Sequence, residues 1–362
     1  MKSSNLHRAM SNFLVSTLQA SDLQRLQSQR AGETRLGQAL RFIHPDLPLP
    51  QGLHEAKAQG VKYVIVGVPE DVGPRANFGN GGAALGFQAF LGRFLNVQAN
   101  AFVKGSEILL LGEVNLADIQ AKSASLSASD EAQLAELRAH VQTIDGRVSS
   151  VLKHVFDADL VPIVIGGGHN NAYPILQALS QSRGSGADCI NLDPHCDFRL
   201  LEGRHSGNGF SYAHAAKYLS SYYVVGLHEL KNAQTALDQM TQAGAGFTSY
   251  QEIFIRRETT FSQAVDKAIA YVGGGGSSKP VGLEVDTDSI SGMPVSALTN
   301  CGLSVADAEH YVYKVATQLK QRVAYLHLAE AAPGQHPAGV AAGKSEAGQI
   351  LTALVLAFVQ TN

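Results

Sequence analysis

Short apolar runs separated by longer amphipathic stretches recur along the chain from Val61 onward: Tyr63–Val68, Ile108–Leu111, Val161–Ile165, Cys189–Leu192, Tyr222–Val225, Val281–Val285 and Val323–Leu328. Runs that are predominantly apolar on both sides, not apolar at alternate positions, suit strands buried on both faces. Between them, helical periodicity predicts helices over Asp130–Phe156, Ala172–Gln181, Ser304–Lys320 and Lys344–Val359. Strand and helix in alternation predict an α/β architecture with a central parallel sheet covered on both sides. Residues 1 to 58 read differently. Phe13, Leu14, Leu18, Leu23 and Leu26 keep a helical spacing, and Pro45, Pro48 and Pro50 interrupt it. This predicts an N-terminal helical arm and connector, packed on the core or on a second subunit, ahead of a main domain over 59–362.

The polar motifs fall where those strands finish. Gly166-Gly167-Gly168-His169 follows one run, Asp193-Pro194-His195-Cys196-Asp197 the next, Asp286-Thr287-Asp288 a third and Glu330 the last. Open α/β sheets bind ligands beyond the carboxyl ends of their strands, so four segments point to one crevice. In extended backbone, residues i, i+2 and i+4 share a side, which lets Asp193, His195 and Asp197 converge, and Asp286 with Asp288. A lone Asp-x-Asp is more often a solvated turn, and a lone histidine is seldom a ligand. Agreement of four segments in position and chemistry reverses both priors. Four carboxylates so close repel strongly unless protonated or neutralised by cations. Two divalent ions would balance them, and a set rich in oxygen with some imidazole favours manganese or a similar first-row ion.

Composition narrows the class. The 362 residues are 45% hydrophobic and 16% charged, enough apolar material for a large core, and 28 basic against 31 acidic residues give a net charge of −3. No basic run or basic-aromatic stripe invites nucleic acid, and no long apolar span invites a membrane, so a small-molecule partner is expected. Cys189, Cys196 and Cys301 show no paired spacing and no signal peptide is evident, which fits a reducing cytoplasm. Cys196 is expected to pack in the interior and not to act as a ligand or nucleophile. Gly166–Gly168 lacks the Gly-Lys-Ser/Thr of a phosphate loop and reads as a tight turn; Gly273–Gly276 reads as a connector.

Gly166–His169, Leu192–Asp197 and Glu284–Asp288 together resemble the three metal motifs of the ureohydrolases, the family of arginase, agmatinase and formimidoylglutamase. Gly67-Val68-Pro69 and Leu328-Ala329-Glu330-Ala331-Ala332-Pro333 extend the resemblance from about Tyr63 to the C-terminus. It implies a three-layer α/β/α arginase-like fold, often a trimer or hexamer, holding two Mn2+ ions. It implies further that His169, Asp193, Asp197 and Asp286 bind one ion and Asp193, His195, Asp286 and Asp288 the other, with Asp193 and Asp286 bridging. Two ions about 3.5–4 Å apart can share a water, lower its pKa and deliver a bridging hydroxide to a trigonal carbon. Glu330 matches the family glutamate that pairs with the cationic end of the substrate. His205, within Arg204-His205-Ser206-Gly207-Asn208-Gly209, lies near the loop that carries a proton-shuttle histidine in arginase, although the sequence reads more like the loop of formimidoylglutamases; Asn208 joins it as a substrate contact. Two departures stand out. Glu284 replaces a position that is often serine, and Asn170-Asn171 follow His169 where an arginase-like pattern differs.

Arg199, two residues after Asp197, stands where arginase has a neutral amide and could pair with a substrate carboxylate. Arg75, beside the Asn77–Gly82 loop, is a second candidate. Two cations suit a dicarboxylate better than agmatine, so the expected reaction is hydrolysis of N-formimino-L-glutamate to glutamate and formamide, a step of histidine catabolism. Agmatinase, arginase or another guanidino-acid hydrolase is the alternative within the chemistry; a catalytically inactive metal-binding protein of the same fold is the alternative outside it. A mononuclear zinc deacetylase would leave His169 and Asp288 without a role.

Overall fold

The computed structural model describes residues 14–361. Phe13, counted above toward a helical arm, lies outside the described residues. A nine-stranded sheet runs through the molecule in the order β1-β3-β2-β4-β9-β8-β5-β6-β7. Its strands are β1 (Val15–Thr17), β2 (Tyr63–Gly67), β3 (Ile108–Val114), β4 (Val161–Ile165), β5 (Ala187–Leu192), β6 (Leu219–Leu227), β7 (Gly246–Ser249), β8 (Val281–Asp286) and β9 (Val323–Ala329). Every pairing is parallel except that of β1 with β3.

Two apolar clusters, one on each face, make this a three-layer α/β/α fold. The helices of the layers are α1 (Leu49–Ala58), α2 (Gly86–Phe94), α3 (Glu131–Asp157), α4 (Ala172–Arg183), α5 (Gln234–Gln242), α6 (Phe261–Val272), α7 (Val305–Leu319) and α8 (Val340–Val359). Residues of α2, α6, α7 and α8 share one cluster with Tyr63 and Ile65 of β2. Those of α1, α3, α4 and α5 share the other with Val64 and Val66, as strand alternation requires. Asp130 and Ser304, read as first residues of helices, are the N-caps of α3 and α7. Asp130 accepts from the Gln133 amide at 2.9 Å and Ser304 from that of Asp307 at 3.1 Å, satisfying otherwise unpaired first-turn donors.

The segment before residue 59 departs from a purely helical arm. Val15–Thr17 is an edge strand on β3, and Leu49 and Leu53 of α1 are buried in the core. Three residues are too few to carry an alternation signal, and β7 likewise lacks the apolar run by which the other strands were recognised.

Candidate metal centre

β4, β5, β8 and β9 lie side by side, and their carboxyl ends deliver the polar motifs to one crevice. After β4 the chain turns sharply through Gly166 and Gly167, at φ +90° and +74°, backbone that side chains seldom adopt. A Cβ on Gly167 would lie 2.5 Å from Asn171 Nδ2. The turn is clasped by buried Glu70, whose carboxylate accepts from the Gly168 amide at 2.7 Å, Asn171 Nδ2 at 2.7 Å and the Gly73 amide at 3.0 Å. His169 is thereby carried into the crevice, fully buried.

Local turns orient the aspartates. Asp193 accepts from the His195 amide at 2.6 Å and from Asn191 Nδ2 at 2.9 Å, and Asp286 accepts from the Asp288 amide at 2.9 Å. Asp197 and Glu330 are held at φ +43° and +66°, left-handed backbone that non-glycine residues avoid and that concentrates at functional sites.

Of three donor groups among the described residues, two are joined at Asp193: His169, Asp193, Asp197 and Asp286 in one, Asp193, His195 and Asp288 in the other, the ligand atoms of each lying within 4.8 Å of one another; the third, His169, Glu284 and His327, stands behind them. Asp286 joins only the first group. His169 Nδ1 faces Asp193 Oδ2 at 3.2 Å, Asp197 Oδ2 at 3.0 Å and Asp286 Oδ2 at 3.2 Å, yet makes a well-aligned hydrogen bond with none of them. One nitrogen and three oxygens around a point, without hydrogen-bond alignment, is the arrangement a cation requires. His195 Nδ1 is 3.1 Å from Asp288 Oδ2, whose other oxygen is buried without a partner. Burial and neighbouring Asp197 push Asp193 up to about 6, and burial with Asp288 and Asp193 lifts Asp286 well above the carboxylate range. Divalent cations would relieve that repulsion and displace the protons it retains. The residues present therefore fit a binuclear centre.

Glu284, the unusual residue of the third motif, stands behind His169. It is opposite His327 in the β8–β9 register, and both are fully buried. Its carboxylate lies 2.6 Å from His327 Nδ1 and 3.3 Å from His169 Nε2, and accepts from Tyr325 Oη at 2.7 Å. Tyr325 reaches it over Gly282, where any Cβ would collide with the phenol oxygen. Burial alone would raise the Glu284 pKa, but His327 and His169 hold it at about 2, so it is a carboxylate that accepts the Nε2–H of His169 and leaves Nδ1 facing the aspartates. Sequence reasoning missed His327, although an ionisable side chain within an apolar strand was a signal.

Of the remaining candidates, the crevice takes in Arg199 and Glu330. It is a cavity of about 570 Å³ whose wall includes His195, Asp197, Asp286, Asp288, Arg199 and Glu330. Glu330 accepts from the His169 amide at 2.8 Å, and burial raises its pKa to about 8. Arg199, half exposed, donates to Asn77 Oδ1 at 2.9 Å. Cys196 is buried, its thiol pushed up to about 12 by burial, and so is not available as a thiolate.

Three expectations are corrected. Arg75 turns away from the cavity, donating to the carbonyls of Ser123 and Leu126 and pairing with Asp71 at 3.5 Å. Asn208 is buried, with Oδ1 taken by Arg204 at 2.6 Å and the His205 amide at 3.1 Å, and Nδ2 by the Gly203 carbonyl at 2.7 Å. His205 is buried too: Nδ1 accepts from the Gly207 amide at 3.1 Å and Nε2 lies 3.1 Å from Glu202 Oε1. Burial first, then Arg138, Arg199 and Arg204, lower its pKa to about 3. A neutral imidazole with both nitrogens engaged caps a turn and does not shuttle protons. Arg204, which Asn208 supports, is itself buried against Asp145 at 2.9 Å, so this loop is a structural brace.

Comparison with known proteins agrees with this architecture. A family model described as the arginase family matches residues 61–354. A formimidoylglutamase from Streptococcus pyogenes is 31% identical over 175 residues, which cover 45% of this chain and 52% of the relative; the match thus spans about half the length of such curated relatives. A formiminoglutamase from Trypanosoma cruzi, solved with two Mn2+, aligns at a TM-score of 0.65 and 21% identity over 90% of this chain and 99% of the other. The formimidoylglutamase of Bacillus subtilis aligns at 0.67 and 17% identity over 91% and 93%. No helix among the described residues is long and apolar enough to cross a membrane.

Proposed function

From the premise that this chain belongs to the arginase family, we propose that it is a formimidoylglutamase-like hydrolase that cleaves the formimino C–N bond of N-formimino-L-glutamate. The observation that carries the reading is Arg199 at the wall of the same cavity that holds both donor groups and Glu330. It supplies a cation for a carboxylate beside the place where an amidine would react. His169, Asp193, Asp197 and Asp286 would hold one divalent cation, and Asp193, His195 and Asp288 the other, consistent with the manganese in the Trypanosoma cruzi relative. Bound there, such ions supply Lewis acidity that lowers the pKa of water toward neutrality.

The protein's own groups do the rest. Glu330 pairs with the amidinium end, its carboxyl giving up its proton as the cation arrives, since a neighbouring positive charge favours the ionised form. Arg199 fixes the carboxylate end and so aims the trigonal carbon at the aspartate cluster. Addition of water to that carbon gives a tetrahedral species; its collapse breaks the bond to the glutamate nitrogen, which takes a proton and leaves with formamide as the second product. Agmatine, lacking a carboxylate, would leave Arg199 unanswered.

The test is a panel of formiminoglutamate, agmatine, arginine and simple guanidino acids, offered to manganese-loaded protein whose metal content is measured in the same sample. Selective turnover of formiminoglutamate is expected. Turnover of agmatine or arginine in its place refutes the substrate assignment, and inertness with two metals bound refutes the hydrolase reading.

A further inference from the structure

The wall of the central cavity carries a second cation that neither the metal motifs nor Arg199 accounts for. Lys231 follows β6, the strand next to β5, and lines the cavity. Its loop is stitched to the metal-motif turn. The His228 amide donates to the Pro194 carbonyl at 2.8 Å, Asn232 Nδ2 donates to the same carbonyl at 3.0 Å, and Asn232 Oδ1 accepts from the Cys196 amide at 2.8 Å. Those bonds flank Lys231 on both sides and fix where its side chain starts. Lys231 is half-buried, and its side chain makes no hydrogen bond or close ion pair among the described residues, although its charge is felt by Asp288 on the same cavity wall. Most basic side chains here are answered by a carboxylate or a carbonyl; Arg199 itself is held by Asn77 Oδ1 at 2.9 Å. A half-buried lysine on a hydrogen-bonded loop, facing a cavity and touched by the field of Asp288 but by no hydrogen-bond acceptor, has lost part of its hydration without gaining a direct partner.

The geometry points to Lys231 as the second anionic anchor of the substrate site, so that Lys231 and Arg199, on two adjacent strand-end loops, each take one carboxylate of a dicarboxylate amidine. This rests on the hydrolase reading above and deepens it: Lys231 takes the place first given to Arg75. It also explains how a cavity walled by Asp197, Asp286, Asp288 and Glu330 can admit a doubly anionic substrate. The acidic groups gather at the strand ends where the amidine reacts, and two cations mark where its carboxylates go. A monocarboxylate would satisfy only one of them, so the pair selects for two charges at a set separation.

The experiment compares wild type with Lys231→Gln, Lys231→Arg and Arg199→Gln in the metal-loaded full chain. Three substrates are used: formiminoglutamate and its two analogues lacking either the α- or the distal carboxylate. A charge-assisted contact of ordinary strength predicts a rise in KM of about tenfold to a hundredfold for formiminoglutamate in Lys231→Gln, concentrated in KM and not in kcat. One analogue, lacking the carboxylate that Lys231 reads, should show no further rise. Lys231→Arg should recover most of the loss, and Arg199→Gln should show the complementary preference between the analogues. Equal effects of Lys231→Gln on all three substrates overturn the assignment. Calorimetric binding of L-glutamate to the same proteins separates this inference from the hydrolase reading. If wild type fails to turn over any amidine yet binds glutamate, and Lys231→Gln weakens that binding, the anchor stands and the hydrolase reading falls. If Lys231→Gln binds glutamate as wild type does, the anchor falls whatever the turnover.

Discussion

Glu284→Gln changes one oxygen to an amide nitrogen with almost no change of shape, and the structure states what that exchange removes. The carboxylate now accepts from Tyr325 Oη at 2.7 Å and faces His327 Nδ1 at 2.6 Å and His169 Nε2 at 3.3 Å. A glutamine can keep one acceptor for Tyr325, but its NH2 would then confront ring N–H groups, so the two histidine contacts lose their charge-assisted character. At about 1.5 kcal/mol or somewhat more for each, the loss is on the order of 3 kcal/mol. A chain of this length unfolds with an entropy of roughly 0.8 kcal/mol per kelvin, so Tm should fall by about 4 °C. His169 would no longer be held with Nδ1 toward the aspartates, and removal of such a supporting partner lowers metal affinity by about 10–100-fold. Calorimetric melting of the metal-free protein and manganese titration read the two effects separately. The weakened site should be the one containing His169, leaving one ion per chain tightly held. Wild-type affinity at both sites, with Tm unchanged to within about 1 °C, would refute the idea that Glu284 positions His169.

Three further outcomes follow from the same geometry. Glu330→Gln should keep both metal ions, because Glu330 stands outside both donor groups, while raising KM for the amidine about tenfold or more; metal quantitation beside kinetics checks it, and near-normal turnover would remove Glu330 from the site. Manganese affinity should fall roughly tenfold between pH 7 and pH 5 through Asp193 alone, which ionises near pH 6, and Asp286, lifted well above the ordinary carboxylate range, should add to the loss; titrations at the two pH values measure it, and chelation from metal at a hundred times its Kd should lower Tm by about 3–4 °C. His205 holds a pKa of about 3, below its unfolded value near 6.5, so the unfolded chain binds more protons between those limits and stability declines as pH falls through that window. The decline should amount to about 2 kcal/mol from pH 7 to pH 5; His205→Asn, which can still accept from the Gly207 amide, should flatten it in denaturant titrations, and an unchanged slope would exclude His205 as its source.

The chain by itself determined the alternation of strand and helix, and with it the rule that ligands gather at the strand ends. Predominantly apolar runs such as Val161–Ile165 and Val281–Val285 are local properties that suit burial on both faces, and the motifs that follow them are carried to one edge by connectivity alone. That is why His169, Asp193, Asp197, Asp286 and Asp288 could be gathered in advance. What only the tertiary structure decided depends on which way a side chain leaves the backbone and on what meets it from a distant part of the chain. Arg75, His205 and Asn208 lie in the expected loops, but Ser123, the Gly207 amide with Glu202, and Arg204 engage their polar atoms. Glu284 gained its meaning from a strand register that sets it opposite His327, and Lys231 from a loop tied to Pro194. Residues 43 positions apart in one case and 37 in the other have no pattern in one dimension that would join them; hydrogen bonding and packing in three dimensions supply it.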